Sequence, residues 1–191
     1  PGVHTELRAQ ENRQRGVSLI KGNLTANIRT EVSGVCARVY KNGVCGFSST
    51  AQCSAAAAES VLKAATENAA FMDRHIGKGK TLFPALTPGM LPVKKEIRDT
   101  EQSAYVDFVK ELDAYIVSKY PQLTSRSVMA REDSMDKILC TSDGFDGHIT
   151  SPRSYIYVFM NTETVAGAPI ELFKPIGGFG NFFENFDDPK K

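Results

Sequence analysis

Over the first fifty residues apolar side chains recur at every second position in short runs, the period of half-buried strands. Residues 4–10 read as one strand. Residues 17–21 and 24–30 flank Gly22-Asn23 and are predicted to form a hairpin, because both turn residues tolerate the positive φ of a two-residue turn. Residues 35–41 and 44–47 flank Asn42-Gly43, the stronger hairpin signal, which sets a register of Lys41 opposite Val44. On that register Tyr40 faces Cys45, Arg38 faces Phe47 and Cys36 faces Ser49.

The period then changes to that of helices. Ser54 is placed as the N-cap of a helix reaching about His75, with Ala58, Val61, Leu62, Ala65, Ala69 and Met72 on one stripe. Glycines and prolines from Gly77 to Pro92 oppose regular structure and predict a crossover or linker. Asp99 and Gln102 are placed as a capping box opening a second helix with the stripe Tyr105, Phe108, Val109, Leu112 and Ile116, stopped by Pro121. Strand texture returns at 125–131, 136–141, 154–161 and 170–173, with Ser142-Asp143-Gly144 and Asp146-Gly147 as turns. Strands grouped before and after two main helices predict an α+β fold with largely antiparallel sheet. The expected organisation is 4–76 for the hairpins and first helix, 77–98 for the linker, and 99–187 for the second helix and strands, all within one structural domain.

Composition narrows the function. The 191 residues are 41% hydrophobic and carry a net charge of +1, which suits a globular domain able to bury a core without disulfides or metal. So small a charge lacks the electrostatic footprint of nucleic-acid or anionic-membrane binding. No run of about 18 apolar residues could span a bilayer, and the amino terminus lacks a signal-peptide layout, so the expected location is cytoplasmic. The chain starts at Pro1 rather than methionine and runs at once into strand-like sequence, as a trimmed piece of a longer protein would.

The histidines (His4, His75, His148) do not form a His-Glu-x-x-His helix, and Cys36, Cys45, Cys53 and Cys140 show no C-x-x-C spacing. Cys36 and Cys45 stand four positions apart along their ladder, roughly 13 Å, beyond the about 7 Å reach of a disulfide, so free thiols are expected. Gly177-Gly178-Phe179-Gly180 lacks the Lys-Ser/Thr of a phosphate cradle and reads as a structural bend. Asp143, Asp146 and His148 could be taken for a metal cluster, but aspartates beside glycines more often make Asx-turns. Cys140 has no histidine brought to it by sequence and reads as a small buried hydrophobe. Lys94, Lys95 and Arg98 read as a solvated basic face. Arg38 lies within an apolar strand, where a guanidinium needs a partner. Either it pairs with a carboxylate of the fold, or it lines a polar cavity and binds a carbonyl or carboxylate of a ligand.

Several of these segments, in this order, resemble one family, the TldD/PmbA proteins, also called modulators of DNA gyrase. Glu6-Leu7-Arg8 and the run Val17 to Gly22 resemble its first two strands. The segment Gly34-Val35-Cys36-Ala37-Arg38-Val39-Tyr40-Lys41-Asn42-Gly43-Val44-Cys45-Gly46-Phe47-Ser48-Ser49 resembles its glycine, arginine, then Gly-x-x-Gly-Phe hairpin, with Cys36 standing where a glycine is common. Ser142-Asp143-Gly144 and Gly177-Gly178-Phe179-Gly180 resemble later family segments. The resemblance implies the amino-terminal domain of a zinc metallopeptidase acting on peptides, without its first helix. It places the His-Glu-x-x-x-His helix, a cysteine ligand and hence the zinc in a carboxy-terminal half absent here. No catalytic or metal-ligating residue carries over; Arg38, Ser142 and Asp143 are the residues expected to face a peptide. The implied partners are a second TldD/PmbA-type subunit, in a homodimer or heterodimer, and a peptide substrate. Some family subunits lack a working zinc site, so the resemblance equally admits a non-catalytic partner or binding module.

Overall fold

Alternating side chains in the hairpins and one apolar stripe on each helix are satisfied by packing helices on a sheet. The computed structural model describes residues 3–76, 79 and 89–190, and for 89–94 the backbone alone. In chain order the elements are β1 (Val3–Ile20), β2 (Asn23–Lys41), β3 (Val44–Thr50), α1 (Ala55–Ile76), β4 (Gly89–Lys94), α2 (Gln102–Lys119), β5 (Ser125–Thr141), β6 (Phe145–Glu163), β7 (Pro169–Phe179) and α3 (Phe182–Asn185). The strands hydrogen-bond in the order β3-β2-β1-β5-β6-β4, with β7 also on β6. β2–β3 and β6–β7 are antiparallel and β4–β6 is parallel. This is the expected α+β fold with largely antiparallel sheet.

The chain divides into two compact units that interleave along the sequence. Unit 1 comprises Pro1–Asn12, Val32–Lys94 and Met135–Thr150; unit 2 comprises Arg13–Glu31, Lys95–Ser134 and Ser151–Lys191. Four strands expected to be short are long and contribute to both units: 4–10 and 17–21 lie in the single β1, 24–30 and 35–41 in β2, 125–131 and 136–141 in β5, and 154–161 within β6. The polar stretches between these runs do not end a ladder, because the backbone bonds without regard to side chain. They mark instead where the chain passes from one unit to the other.

In unit 1, α1 covers β2 and β3. Val35, Ala37 and Val39 point to Val61, Ala65 and Ala69, and all six are buried. Ser54 accepts the Ala57 N–H at 3.1 Å, the expected N-cap. The second hairpin has its expected register, with Lys41 opposite Val44, Arg38 opposite Phe47 and Cys36 opposite Ser49, around Asn42 and Gly43 at φ 48° and 84°. The first hairpin turns one residue earlier than expected, at Lys21 and Gly22 with φ 49° and 81°; Lys21 adopts the left-handed conformation so that Gly22 takes the second position. Gly46 is fixed by packing: a Cβ there would lie 2.1 Å from the Ala65 carbonyl oxygen and 2.3 Å from the Ala69 nitrogen. Its missing side chain is what lets the alanine-rich helix come down on the sheet.

In unit 2, Tyr105, Phe108, Val109 and Ile116 of α2 bury against Val17 and Leu19 of β1, Val128 and Ala130 of β5, and Ile156 and Val158 of β6. Phe182 of α3 completes this core, with ring centroids 5.1 Å from both Tyr105 and Phe108. The expected capping box at Asp99 and Gln102 is not formed. Glu101 is the N-cap and makes no side-chain cap bond; Asp99 turns to Arg15 and Arg29, and Gln102 donates to Asn27 and the Ile28 carbonyl. The capping box is at α3 instead, between Asn181 and Glu184. Residues 77, 78 and 80–88 of the expected linker lie outside the described residues, and its later part departs from expectation, since Gly89–Lys94 is a strand pairing with 145–150.

Candidate functional site

Alternation along β2 that buries Val35, Ala37 and Val39 beneath α1 turns Cys36, Arg38 and Tyr40 to the opposite face of unit 1. There the expected site residues meet two others. Arg38 Nη1 lies 3.9 Å from Glu6 Oε2. Glu6 Oε1 lies 3.5 Å from His4 Nε2, and His4 Nδ1 is 2.7 Å from Asp143 Oδ2. A chain of polar contacts thus runs Arg38–Glu6–His4–Asp143. The Arg38 guanidinium also sits 6.0 Å from the Phe47 ring centre and beside the Tyr40 hydroxyl, while the His4 and Tyr40 rings are 5.8 Å apart. Burial first, and then the Glu6 charge, push the Tyr40 phenol up from its ordinary value.

The Ser142-Asp143-Gly144 turn is held against the start of β1. Ser142 Oγ accepts the Thr5 N–H at 3.0 Å, and the Ser142 N–H donates to the Thr5 carbonyl at 2.9 Å. Gly144, at φ 88°, donates to the Thr141 carbonyl. A serine, a histidine and an aspartate therefore come together, but not in the order nucleophilic catalysis requires. The nitrogen of His4 remote from Asp143 faces Glu6, and Ser142 is committed to the backbone. The arrangement sets the guanidinium donors of Arg38, the carboxylates of Glu6 and Asp143 and the half-exposed Phe47 ring on one face of unit 1.

Of the two roles left open for Arg38, the carboxylate pair with Glu6 is present, and with 43% of its side chain exposed the guanidinium still reaches solvent. Sequence reasoning missed His4 and Glu6. Their two-residue spacing, which places them on one strand face, was the signal available.

The other candidates separate. Asp143, Asp146 and His148 make no cluster: Asp143 takes His4, Asp146 accepts from Cys140 at 3.5 Å, and His148 pairs with Asp136 at 2.6 Å. Burial, followed by Asp146, raises the Cys140 thiol pKa. Among the described residues no group of three or more His, Cys, Asp or Glu is placed to hold a metal ion, so these donors do not fit a zinc site. Cys36 and Cys45 are free thiols, as expected, and so are Cys53 and Cys140. Gly177 lies in β7 opposite Tyr155, whose ring would stand 2.5 Å from a Cβ there, so the glycine run is structural. Lys95 and Arg98 are not simply solvated, since both pair with Glu184, at 3.2 and 3.5 Å.

This fold is that of gyrase-modulator and TldE proteins. Over 98% of its length the chain superposes on 41% of a Thermotoga maritima protein described as a proposed modulator of a DNA gyrase, with a TM-score of 0.66 and 15% identity. TldE from Thermococcus kodakarensis gives a TM-score of 0.67 at 14% identity, over 92% of this chain and 39% of that one. A proposed modulator of DNA gyrase from Bacteroides thetaiotaomicron gives 0.68 at 12%, over 91% and 40%. The chain thus spans about 40% of the length of the solved structures it matches. A comparison with curated proteins finds no match.

Residues 5–69 match a family model described as PmbA/TldA metallopeptidase domain 1. That span holds the Gly34–Ser49 hairpin, Glu6, Arg38 and the part of α1 that packs on Gly46. No helix among the described residues is long and apolar enough to cross a membrane.

Proposed function

We propose that this chain is the amino-terminal domain of a TldD/PmbA-type zinc metallopeptidase that processes or degrades peptides. In this reading zinc and catalysis belong to residues outside the chain. The domain supplies cavity wall and subunit contacts in a homodimer or heterodimer, and works in the cytoplasm. The observation that carries it is the match at 5–69 together with the open face it encloses, where Arg38, Glu6, Tyr40 and Phe47 stand beside His4, Ser142 and Asp143. An extended peptide laid on this face would meet an arginine for its carbonyls and carboxylates for its N–H groups. Incubating the purified chain with zinc and an unstructured peptide tests the placement of catalysis: no turnover is expected, and turnover by the chain alone would refute it.

A second reading is favoured by the gyrase-modulator descriptions of two structural neighbours. In it the parent is a non-catalytic partner or binding module. A His-Glu-x-x-x-His helix elsewhere in the same gene separates the two. The net charge of +1 supplies little attraction for phosphates, so no DNA binding is expected at any salt concentration.

A further inference from the structure

We propose that unit 2 carries an oxyanion site, a pocket of about 130 Å³ lined by Arg13, Arg15, Arg29, Glu31 and Asp99 that takes a small carboxylate- or phosphate-bearing ligand. This site is independent of the peptide reading of unit 1.

The charged lining is three arginines and two acids: Arg13 lies 3.6 Å from Glu31, while Arg15 and Arg29 share Asp99. The donors are organised in advance. Arg15 has only 8% of its side chain exposed; it donates to the Thr100 carbonyl and to Asp99, and it stands 6.0 Å from the centre of the Tyr105 ring. Holding a guanidinium in place before the ligand arrives removes the ordering cost that weakens surface arginines.

Asp99 shows what the pocket recognises. Arg15 and Arg29 both donate to the same oxygen, Oδ1, Arg29 at 3.3 Å. The hydrogen bond from Arg15 first, then the charges of Arg15 and Arg29, hold its carboxyl below the usual carboxylate range. The Asp99 side chain is 70% exposed, and it lies on the irregular segment between β4 and α2. It is a tethered carboxylate standing at the mouth of an arginine pocket. Each guanidinium has five N–H donors in a fixed fork, and Asp99 is the acceptor that Arg29 meets among the described residues. Most of the Arg29 donors are therefore available to a second oxyanion. The volume of about 130 Å³ is enough for one carboxylate or phosphate group.

The test is calorimetric titration of the full chain with inorganic phosphate and, separately, with acetate, at ionic strength matched by chloride. Saturable binding of at least one anion is expected. Arg29→Ala should weaken it by about tenfold or more, the loss of a charge-assisted hydrogen bond. Asp99→Ala, which removes the tethered competitor, should tighten it by about tenfold; Asp99→Asn serves the same purpose if the alanine variant unfolds. Phosphate preference assigns a phosphate-bearing ligand. Acetate binding, matched by a free-terminus peptide and lost on amidation, assigns a carboxylate. Saturation by neither anion, or equal affinity in native chain and Arg29→Ala, overturns the proposal.

Discussion

Gly46→Ala puts the packing argument at most risk. The added methyl would fall 2.1 Å from the Ala65 carbonyl oxygen, 2.3 Å from the Ala69 nitrogen and 2.9 Å from the Ala69 Cα. The first two are more than 1 Å short of ordinary contact, and all three are helix backbone, which cannot rotate aside. The helix must lift by about 1 Å, and a gap of that size forfeits roughly a quarter to a half of each dispersion well it opens. The contacts affected are those of Val61, Ala65 and Ala69 on Val35, Ala37 and Val39, the core of unit 1. Overpacking usually costs about 1–3 kcal/mol; with backbone on both sides the upper end, about 3 kcal/mol, is expected. Because a protein of this size shifts by about 2–4 °C per kcal/mol, the melting temperature should fall by roughly 6–12 °C. Urea unfolding followed by circular dichroism measures the loss. Phe47→Ala, one residue along and half-exposed, should cost under about 1 kcal/mol. A Gly46→Ala variant within about 0.5 kcal/mol of the native chain would show that α1 does not rest on this glycine.

Two further outcomes concern unit 2. Burial raises the Glu132 carboxyl above its ordinary 4.5, against the opposing hydrogen bond from the Phe182 N–H. The folded state therefore binds that proton more tightly than the unfolded chain, and this contribution is full below pH 4.5 and is lost as pH rises through the raised folded value. Glu132→Gln still accepts from Phe182 but cannot ionise, so its stability relative to the native chain should improve as pH rises from 4.5 to 7; parallel pH profiles would refute this. Arg126 donates twice to Asp113, at 2.7 and 2.8 Å, with side-chain exposures of 18% and 8%. Arg126→Ala strands a buried carboxylate and should cost about 2–3 kcal/mol in urea unfolding, while the apolar double replacement Arg126→Met/Asp113→Leu should cost less; equal losses would contradict the pairing.

Local patterns were legible in the sequence because local chemistry causes them. Asn42-Gly43 fixed its own turn, and with it the positions of Arg38 and Phe47. Ser54 capped α1, and the alanine stripe marked the helix face that meets Gly46. The length of β1, β2 and β5 was not legible. Residues such as Arg15 and Glu132 interrupt the apolar alternation yet remain in the ladder, buried against Asp99 and Phe182 from distant segments. Asp99 failed as a cap for the same reason: two arginines from β1 and β2 offer its carboxylate more than one backbone N–H does. At the candidate site, the sequence singled out Arg38, Ser142 and Asp143. The residues that link them, Glu6 and His4, lie more than 130 positions from Asp143 and are joined to it only by folding.

The peptide-facing role of the unit 1 face is tested most directly by titrating the isotopically labelled chain with an unstructured peptide and following backbone amide shifts. Changes concentrated at Arg38, Tyr40, Phe47, Ser142 and Asp143 are expected, weakened in Arg38→Ala while the melting temperature is held. Peptide binding that leaves those amides unmoved, or that Arg38→Ala does not weaken, would contradict it.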